Sequence, residues 1–475
     1  SDLGMPDNQI LINNLPVAAQ PSISDHAGYA GKRAFQFSRT LTYAEYRTLP
    51  QSLDLDGEPI RTFTCQFKTT RKDNATTIWV ANEYFSKAHV SFRNPLANRL
   101  NYFYVEAREE SIDQCMVKLE YSTNNNQKLQ FQKNDDGWAT YSSNSEIRLK
   151  AGDRVYFRGN VKNWSGVTKF TGQGLYNVGG NIASLFCNDF TSEDIDLHWG
   201  EDQTGWLFTS FFLDEQGLVD ASELVLPMAT MTEKGYQFMF QGCTSLTAAP
   251  ELPATTLANN CYQSMFQGCT SLTTAPALPA TALEANCYQS MFQGCTQLPA
   301  APALPASSLA TCCYRYMFQG CTNLTAAPAL PATVLATYCY DSMFRGCTAL
   351  TTAPALACET LVEGCYSSMF RECTSLPAAP ALPASTLVKN CYNNMFNGCS
   401  SLRSVICMSA TGINKNSSTT DWLNGVPNTA EDHGEFVYNG SADWPSSYNG
   451  IPTNWVKHAG IYPVFPKPFD PEQPF

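Results

Sequence analysis

The chain has 475 residues, more than one compact core normally accommodates, so several domains or an elongated repeat are expected. Its formal net charge of −12 argues against nucleic acid as a partner, because no basic surface is available to neutralise phosphates. No apolar run is long enough to cross a bilayer, so the sequence predicts no membrane span.

The first part of the chain has the composition of β-structure. Runs such as Leu100–Val105 are rich in aromatic and β-branched residues and predict strands in an N-terminal β-rich domain over 1–110. Residues 111–165 predict a second small β domain, because short alternating runs surround Asp136-Gly137, a dipeptide typical of hairpin turns.

Residues 166–221 predict a transition into the repeats and carry an acidic cluster. The cluster lacks the spacing of a calcium loop, so a solvated acidic loop, a calcium site and a catalytic carboxylate pair all remain open. The candidate calcium ligands are Asp189, Glu193, Asp194 and Asp196. Tryptophan rings in this region and the preceding one could stack on a ligand, and the candidate binding residues are Trp138, Trp164, Trp199 and Trp206.

The central region repeats every 26 residues. Met-Phe pairs begin at Met239 and recur at that interval as far as Met395, and two cysteine columns and one tyrosine column keep the same period. Within a unit the apolar residues are spaced 4, 4 and 3, which predicts one inward side of a short helical segment. These core residues are Cys261, Met265, Cys269 and Leu272 in one unit and Cys287, Met291, Cys295 and Leu298 in the next.

This pattern predicts an α+β fold, a solenoid of about seven turns over 222–402, with one short helix and one short extended segment per turn. No unit can bury its apolar side alone, so stacking of the turns supplies the core. The inward position favours buried free thiols, and disulfides or metal ligation are the alternatives.

The repeated phrase Cys-Tyr-Gln-Ser-Met-Phe-Gln-Gly-Cys resembles the BspA-type leucine-rich repeat of surface proteins from oral and gut Bacteroidota. The resemblance implies a leucine-rich-repeat solenoid in a non-enzymatic adhesion protein at the cell surface, extracellular or on the outer membrane. Its partners would be host matrix proteins, glycans or other cells. Any export signal or lipid-bearing cysteine would lie upstream of Ser1.

The end of the chain predicts a cap and a tail. Residues 403–457 resemble the closing cap of such arrays, which is needed because the last turn would otherwise expose its apolar side to water. Residues 458–475 are rich in proline and aromatic residues, which predicts an extended tail that docks on its own body or on a second copy.

The sequence contains no nucleophile motif, phosphate loop or metal-binding histidine spacing, so we expect no enzyme and no cofactor, calcium aside. The extended side of the repeats carries Ala, Thr and Pro, so we place the binding head in the N-terminal region, and deletion of 1–165 is expected to abolish ligand capture. One alternative is a surface lipoprotein accessory to an outer-membrane importer of glycans or peptides. The other is a self-assembling extracellular fibre or phage tail component.

Overall fold

The structure is a computed structural model that describes residues 102–108, 115–121, 128–159, 169–185, 208–226, 228 and 230–460, with the backbone of short strands before residue 102. The chain divides into two compact units, Ser1–Asn101 and Tyr102–Phe475. The domain boundary expected at residue 110 therefore lies near residue 101, because the strand that follows Asn101 pairs within the second unit.

The first unit contains six described strands. They are β1 Ile10–Asn13, β2 Ile23–Asp25, β3 Lys32–Phe35, β4 Asp54–Leu55, β5 Glu58–Pro59 and β6 Cys65–Phe67. Four of them form an antiparallel sheet in the order β2-β3-β1-β6, and β4 pairs with β5. This part of the chain is therefore β-structure wherever it is described.

The second unit begins with two sheets packed face to face. Their strands are β7 Phe103–Ala107, β8 Cys115–Glu120, β9 Leu129–Lys133, β10 Ala139–Tyr141, β11 Ile147–Leu149, β12 Arg154–Gly159, β13 Lys169–Gln173, β14 Tyr176–Asn181 and β15 Leu218–Val225. One sheet has the order β10-β9-β12-β7-β14-β15 and the other the order β11-β8-β13. Alternate residues of β8 are buried, as a strand with one face on the core requires.

These pairings correct two further boundaries. The domain expected over 111–165 and the transition over 166–221 are wrong as separate parts, because β13 and β14 lie in the same sheets as β7 to β12. A deletion of 1–165 would remove most strands of this sandwich. A short 3₁₀ helix, Ile182–Leu185, follows β14.

The sandwich continues directly into the repeats. Strand β15 pairs in parallel with β14, and a backbone bridge joins Asp220 on β15 to Ala248 in the first repeat. Further bridges link the extended segments of successive turns, such as Ala300 to Ala326 and Ala326 to Thr352. The extended sides of neighbouring turns are thus joined by isolated bridges, and the described residues between Val225 and Ser404 contain no continuous strand.

The segments expected to be helices are chains of hydrogen-bonded turns. In one turn segment, the amide of Met291 donates to the Tyr288 carbonyl at 3.2 Å, while the amide of Phe292 donates to Met317 of the next turn at 2.9 Å. Alternate amides therefore point along the stack, and the described residues contain no α-helix. The backbone adopts a positive φ at every fourth residue, at Asn286, Ser290 and Gly294, which produces this alternation.

The core of the stack consists of aromatic columns flanked by sulfur and leucine side chains. Adjacent phenylalanine rings, such as Phe266 and Phe292, lie 5.7 Å apart and nearly parallel, at 3°. Tyr262 and Tyr288 stack in the same way at 5.8 Å. Each turn buries its rings only against the turns on either side, so the core is continuous along the array.

Both ends of the stack are closed by aromatic residues. Phe212, from the segment before β15, stacks on Phe240 at 5.2 Å, and Trp422 stacks on Tyr392 at 6.1 Å. Trp444 covers Trp422 in turn at 5.4 Å. The cap also contains the parallel strands β16 Ser404–Cys407, β17 Glu435–Asn439 and β18 Val456–Gly460. Residues 461–475 lie outside the described residues.

Candidate functional site

The outer side of the turn segments forms a surface that we call the turn face. Its two main columns hold the residues two positions before and two positions after each repeat methionine. In the first turns these are glutamines whose side chains hydrogen-bond along the stack, from Gln241 to Gln267 at 3.0 Å and from Gln267 to Gln293 at 3.1 Å. A further bond of 3.1 Å extends this ladder from Gln293 to Gln319.

Charged residues interrupt the ladder abruptly. Between residues 252 and 314 the only charged residue is Glu284. The following turns bring in Arg315, Asp341, Arg345, Glu359, Glu363, Arg371, Glu372 and Lys389. The turns before residue 315 stack without these charged residues, so stacking does not require the charges. We therefore take the part of the turn face that carries most of these charged residues as the candidate ligand-contact surface.

Arg315 and Asp341 replace the glutamines of one column. The Nε of Arg315 donates to the Asp341 carboxylate at 2.8 Å, and its guanidinium also contacts the Tyr316 hydroxyl at 2.7 Å. The Asp341 side chain is only 7% exposed. Burial raises the pKa of the Asp341 carboxyl, and the hydrogen bond and charge of Arg315 act in the opposite direction. The pair fixes the guanidinium 4.6 Å from the centre of the Tyr316 ring.

Tyr338 extends the cluster toward the next turns. Its ring lies 5.6 Å from the Arg315 guanidinium, and its hydroxyl donates to Glu363 at 3.3 Å. Glu363 also pairs with Lys389 at 2.8 Å. The ring passes over Gly364, where an added Cβ would lie 2.2 Å from it. The glycine therefore leaves the space that Tyr338 occupies.

The second column contains two arginines in consecutive turns. The Nε atoms of Arg345 and Arg371 lie 3.4 and 3.2 Å from the carboxylate of Glu372, so both cations share one anion. Each arginine side chain is 33% exposed. We call the whole group the Tyr–Arg cluster, and it consists of Arg315, Tyr316, Tyr338, Asp341, Arg345, Glu363, Arg371, Glu372 and Lys389.

Of the four tryptophans proposed to bind a ligand, Trp138 lies among the described residues. Trp138 is half-buried, with the Arg158 guanidinium 4.1 Å from its ring centre and the Tyr102 ring edge-on at 5.1 Å. Arg158 in turn donates to Gln130 at 2.9 Å. Trp138 thus lies in an aromatic and arginine group on the six-stranded sheet, with one ring face stacked rather than open. The other proposed binding residues, Trp164, Trp199 and Trp206, lie outside the described residues.

The proposed calcium ligands Asp189, Glu193, Asp194 and Asp196 also lie outside the described residues. Within the part of the chain that is described, no three His, Cys, Asp or Glu side chains are grouped to hold a metal ion. The structure therefore brings none of its described carboxylates into a candidate metal centre.

The core-column residues occupy the interior of the stack. Each has no exposed surface, and they are Cys261, Met265, Cys269, Leu272, Cys287, Met291, Cys295 and Leu298. The cysteines of the described residues are unpaired, and all but Cys312 are buried. The Cys295 thiol donates to the Phe266 carbonyl of the preceding turn at 3.1 Å. Burial raises the pKa of the Cys261 thiol to about 12, so these thiols are neutral at ordinary pH and poor nucleophiles.

The sequence indicates that one surface column varies, but the spacing of its residues does not predict which side chains form the Tyr–Arg cluster. The column of Gln263, Gln289, Arg315 and Asp341 is visibly variable. The cluster, however, joins residues from different columns, and only the stacking geometry brings Tyr338 and Arg315 together. A count of charged residues per turn would have located the change at residue 315.

Comparison with known proteins agrees with this architecture. Repeats that bury their apolar residues only by stacking on one another are typical of leucine-rich-repeat proteins. More specifically, residues 223–351 and 311–419 match the model of the BspA type leucine-rich repeat region, with six copies. Residues 223–419 are therefore similar to BspA-type leucine-rich repeats, which are of a protein-interaction type found in surface-associated proteins. Neither the curated proteins nor the solved structures compared with the chain match it.

Within the described part of the chain, no helix has the length and apolar character that crossing a bilayer requires.

Proposed function

We propose that this chain is a non-enzymatic adhesion protein of the cell surface whose repeats contact a protein ligand through the Tyr–Arg cluster. The observation that carries the proposal is the replacement of the glutamine ladder by charges and tyrosines in turns that otherwise stack identically. The family of the repeats supports the same assignment, because repeats of this type serve protein interaction.

The composition of the cluster suits a protein interface. Tyrosine and arginine are enriched at such interfaces and at the residues that dominate their binding energy. Arg315 is held by Asp341 at 2.8 Å, and its guanidinium lies 4.6 Å and 5.6 Å from the ring centres of Tyr316 and Tyr338, so little conformational freedom remains to be lost on binding.

The experiment converts the cluster into the ladder of its neighbouring turns. The triple variant Arg315→Gln, Tyr316→Ser, Asp341→Gln installs glutamine and serine, the residues that precede the Met-Phe pair in the two preceding turns. Because those residues already stack there, the variant is expected to fold. We expect its binding to immobilised extracellular-matrix proteins to fall at least about tenfold, the loss typical of a residue with substantial binding energy.

The matched control is Gln263→Ala with Gln289→Ala, which alters the same column in turns without the cluster. Equal binding by the triple variant and the wild type would reject the cluster as the contact surface. A chain lacking residues 1–101 tests the earlier hypothesis of an N-terminal head and, unlike removal of 1–165, leaves the sandwich complete. A glycan panel scored for binding and cleavage tests the non-enzymatic assignment, since cleavage of any member would contradict it.

A further inference from the structure

The Arg345–Arg371 pair carries more positive charge than its carboxylate neutralises. Each guanidinium has five N–H donors, and the two share the single carboxylate of Glu372. The Nε of Arg371 is buried, lies 3.2 Å from the Glu372 carboxylate and has no hydrogen-bond acceptor among the described residues, so it is not itself a donor that a ligand can reach. Because both side chains keep a third of their surface exposed, the pair offers donors to a ligand.

The column on either side of the pair also supplies polar groups. Gln319 precedes it and uses its side-chain oxygen to accept from Gln293 at 3.1 Å, so that oxygen is engaged in the ladder. Asn397 follows it and donates to Asn394 at 3.1 Å. Arg345 and Arg371 are therefore the positively charged residues of an otherwise polar column, and an anionic group is the ligand that they would bind best.

The charge balance decides between a polypeptide and a sulfated glycan. The Tyr–Arg cluster on the turn face contains four cations and three carboxylates, an excess of one positive charge, in a chain of net charge −12. Glu359 is not counted because it belongs to the extended side of its turn, where the equivalent segments bridge at Ser308 and Val334. A polyanion needs several unneutralised cations and would be repelled by the field of the whole chain. A single carboxylate on an otherwise uncharged ligand surface neutralises the one excess positive charge of the cluster and is not repelled as a polyanion would be. The charge balance of the cluster therefore favours a protein ligand.

We propose that the Tyr–Arg cluster binds a polypeptide that places one carboxylate against Arg345 and Arg371 and lays an aromatic or aliphatic side chain on Tyr316 and Tyr338. The inference rests on the proposed function and specifies the partner for the same site. The carboxylate gains charge-assisted hydrogen bonds from the guanidinium groups, and the two rings supply apolar contact area beside it.

The probe is a display library of random dodecapeptides selected on the full chain. The test variant is Arg345→Gln with Arg371→Gln, which installs the residue that Gln293 and Gln319 provide in earlier turns. The control variant is Gln267→Ala with Gln293→Ala. We expect the wild type and the control to enrich peptides with one Asp or Glu beside an aromatic or aliphatic residue, and the test variant to enrich none of them.

A double-mutant cycle on the best peptide makes the contact specific. Changing its acidic residue to the amide should weaken binding to the wild type about tenfold and leave binding to the Arg345→Gln, Arg371→Gln variant unchanged. Equal weakening in both proteins would overturn the carboxylate contact. Failure to enrich acidic peptides, or binding of a heparin fragment that depends on the same arginines, would also overturn the proposal.

Different results would reject the proposed function and the carboxylate contact. If matrix binding depends on Arg315 and Tyr316 but persists in the Arg345→Gln, Arg371→Gln variant, the carboxylate contact is wrong and the proposed function stands. If the wild-type chain binds neither the matrix proteins nor any peptide, both are wrong.

Discussion

The buried thiols predict that the repeats unfold sharply in mild alkali. Thirteen cysteines lie on the two columns, each without exposed surface. Burial raises the thiol pKa in every one, to about 12 for Cys321 and Cys399. An unfolded thiol has a pKa near 8.5, so the unfolded chain loses protons at a pH where the folded chain retains them. The resulting stability is complete below about pH 8 and is lost as the pH rises.

The size of the effect follows from the number of thiols. At about pH 9.5, one unit above the unfolded pKa, ionisation lowers the free energy of each unfolded thiol by about 1.4 kcal/mol. Thirteen thiols together lower it by about 18 kcal/mol, which exceeds the 5–15 kcal/mol that typically separates folded from unfolded states. The repeats should therefore unfold in one narrow step between about pH 8.5 and pH 9.5.

The assay follows circular dichroism and the ultraviolet absorbance of thiolate together, in reductant, as the pH is raised. Both signals should change in the same step and recover on return to neutral pH. Replacing Cys269, Cys295 and Cys321 by Ala should reduce the loss of stability between about pH 7.5 and pH 9.5 by about 4 kcal/mol, measured by urea unfolding. Met291→Ala, which opens the same core but removes no thiol, is the control and should leave this pH-dependent loss unchanged. Folded protein with protonated thiols at about pH 10.5 would refute the reasoning.

Two further predictions concern single positions. Glu215→Ala should destabilise the chain by about 2–4 kcal/mol in urea unfolding, because it removes the acceptor of the buried Tyr176 hydroxyl at 2.6 Å. Glu215→Gln keeps an acceptor oxygen and should cost less than half of that. Equal losses in the two variants would exclude the hydrogen bond as the cause. Gly364→Ala should lower the melting temperature more than Gly346→Ala does. Both glycines have a positive φ, but only the substitution at Gly364 forces the Tyr338 ring to move. Equal shifts in melting temperature would show that the ring is not held over Gly364.

The repeat length and the buried columns were predictable because they depend on identity at fixed intervals. Cys287, Met291 and Cys295 recur wherever the stack needs the same contact, so their inward position follows from the sequence. The boundaries of the sandwich were not predictable in this way. Strand β7 pairs with β12 and β14, which follow it by about fifty and about seventy residues, and no local pattern near residue 110 indicates such pairings.

The helix prediction failed because spacings of 4, 4 and 3 fit two different backbones. A helix has 3.6 residues per turn and forms its bonds within one segment, whereas here alternate amides bond to the next turn. The distinguishing signal was the recurrence of Asn286, Ser290 and Gly294 at intervals of four. Asparagine and glycine tolerate positive φ better than most residues do, and such a strict period of four would drift around a helix.

The same geometry explains why sequence variation concentrates on the turn face rather than in the interior. Every interior position contacts its equivalents in two neighbouring turns, so one substitution disturbs three turns and the columns remain uniform. A side chain on the turn face contacts its neighbours only through weaker polar bonds, which Arg315 and Asp341 can replace with an ion pair without displacing the turns. Surface charges can therefore change from turn to turn over a constant core, and the change at residue 315 is where a ligand can distinguish one part of the array from another.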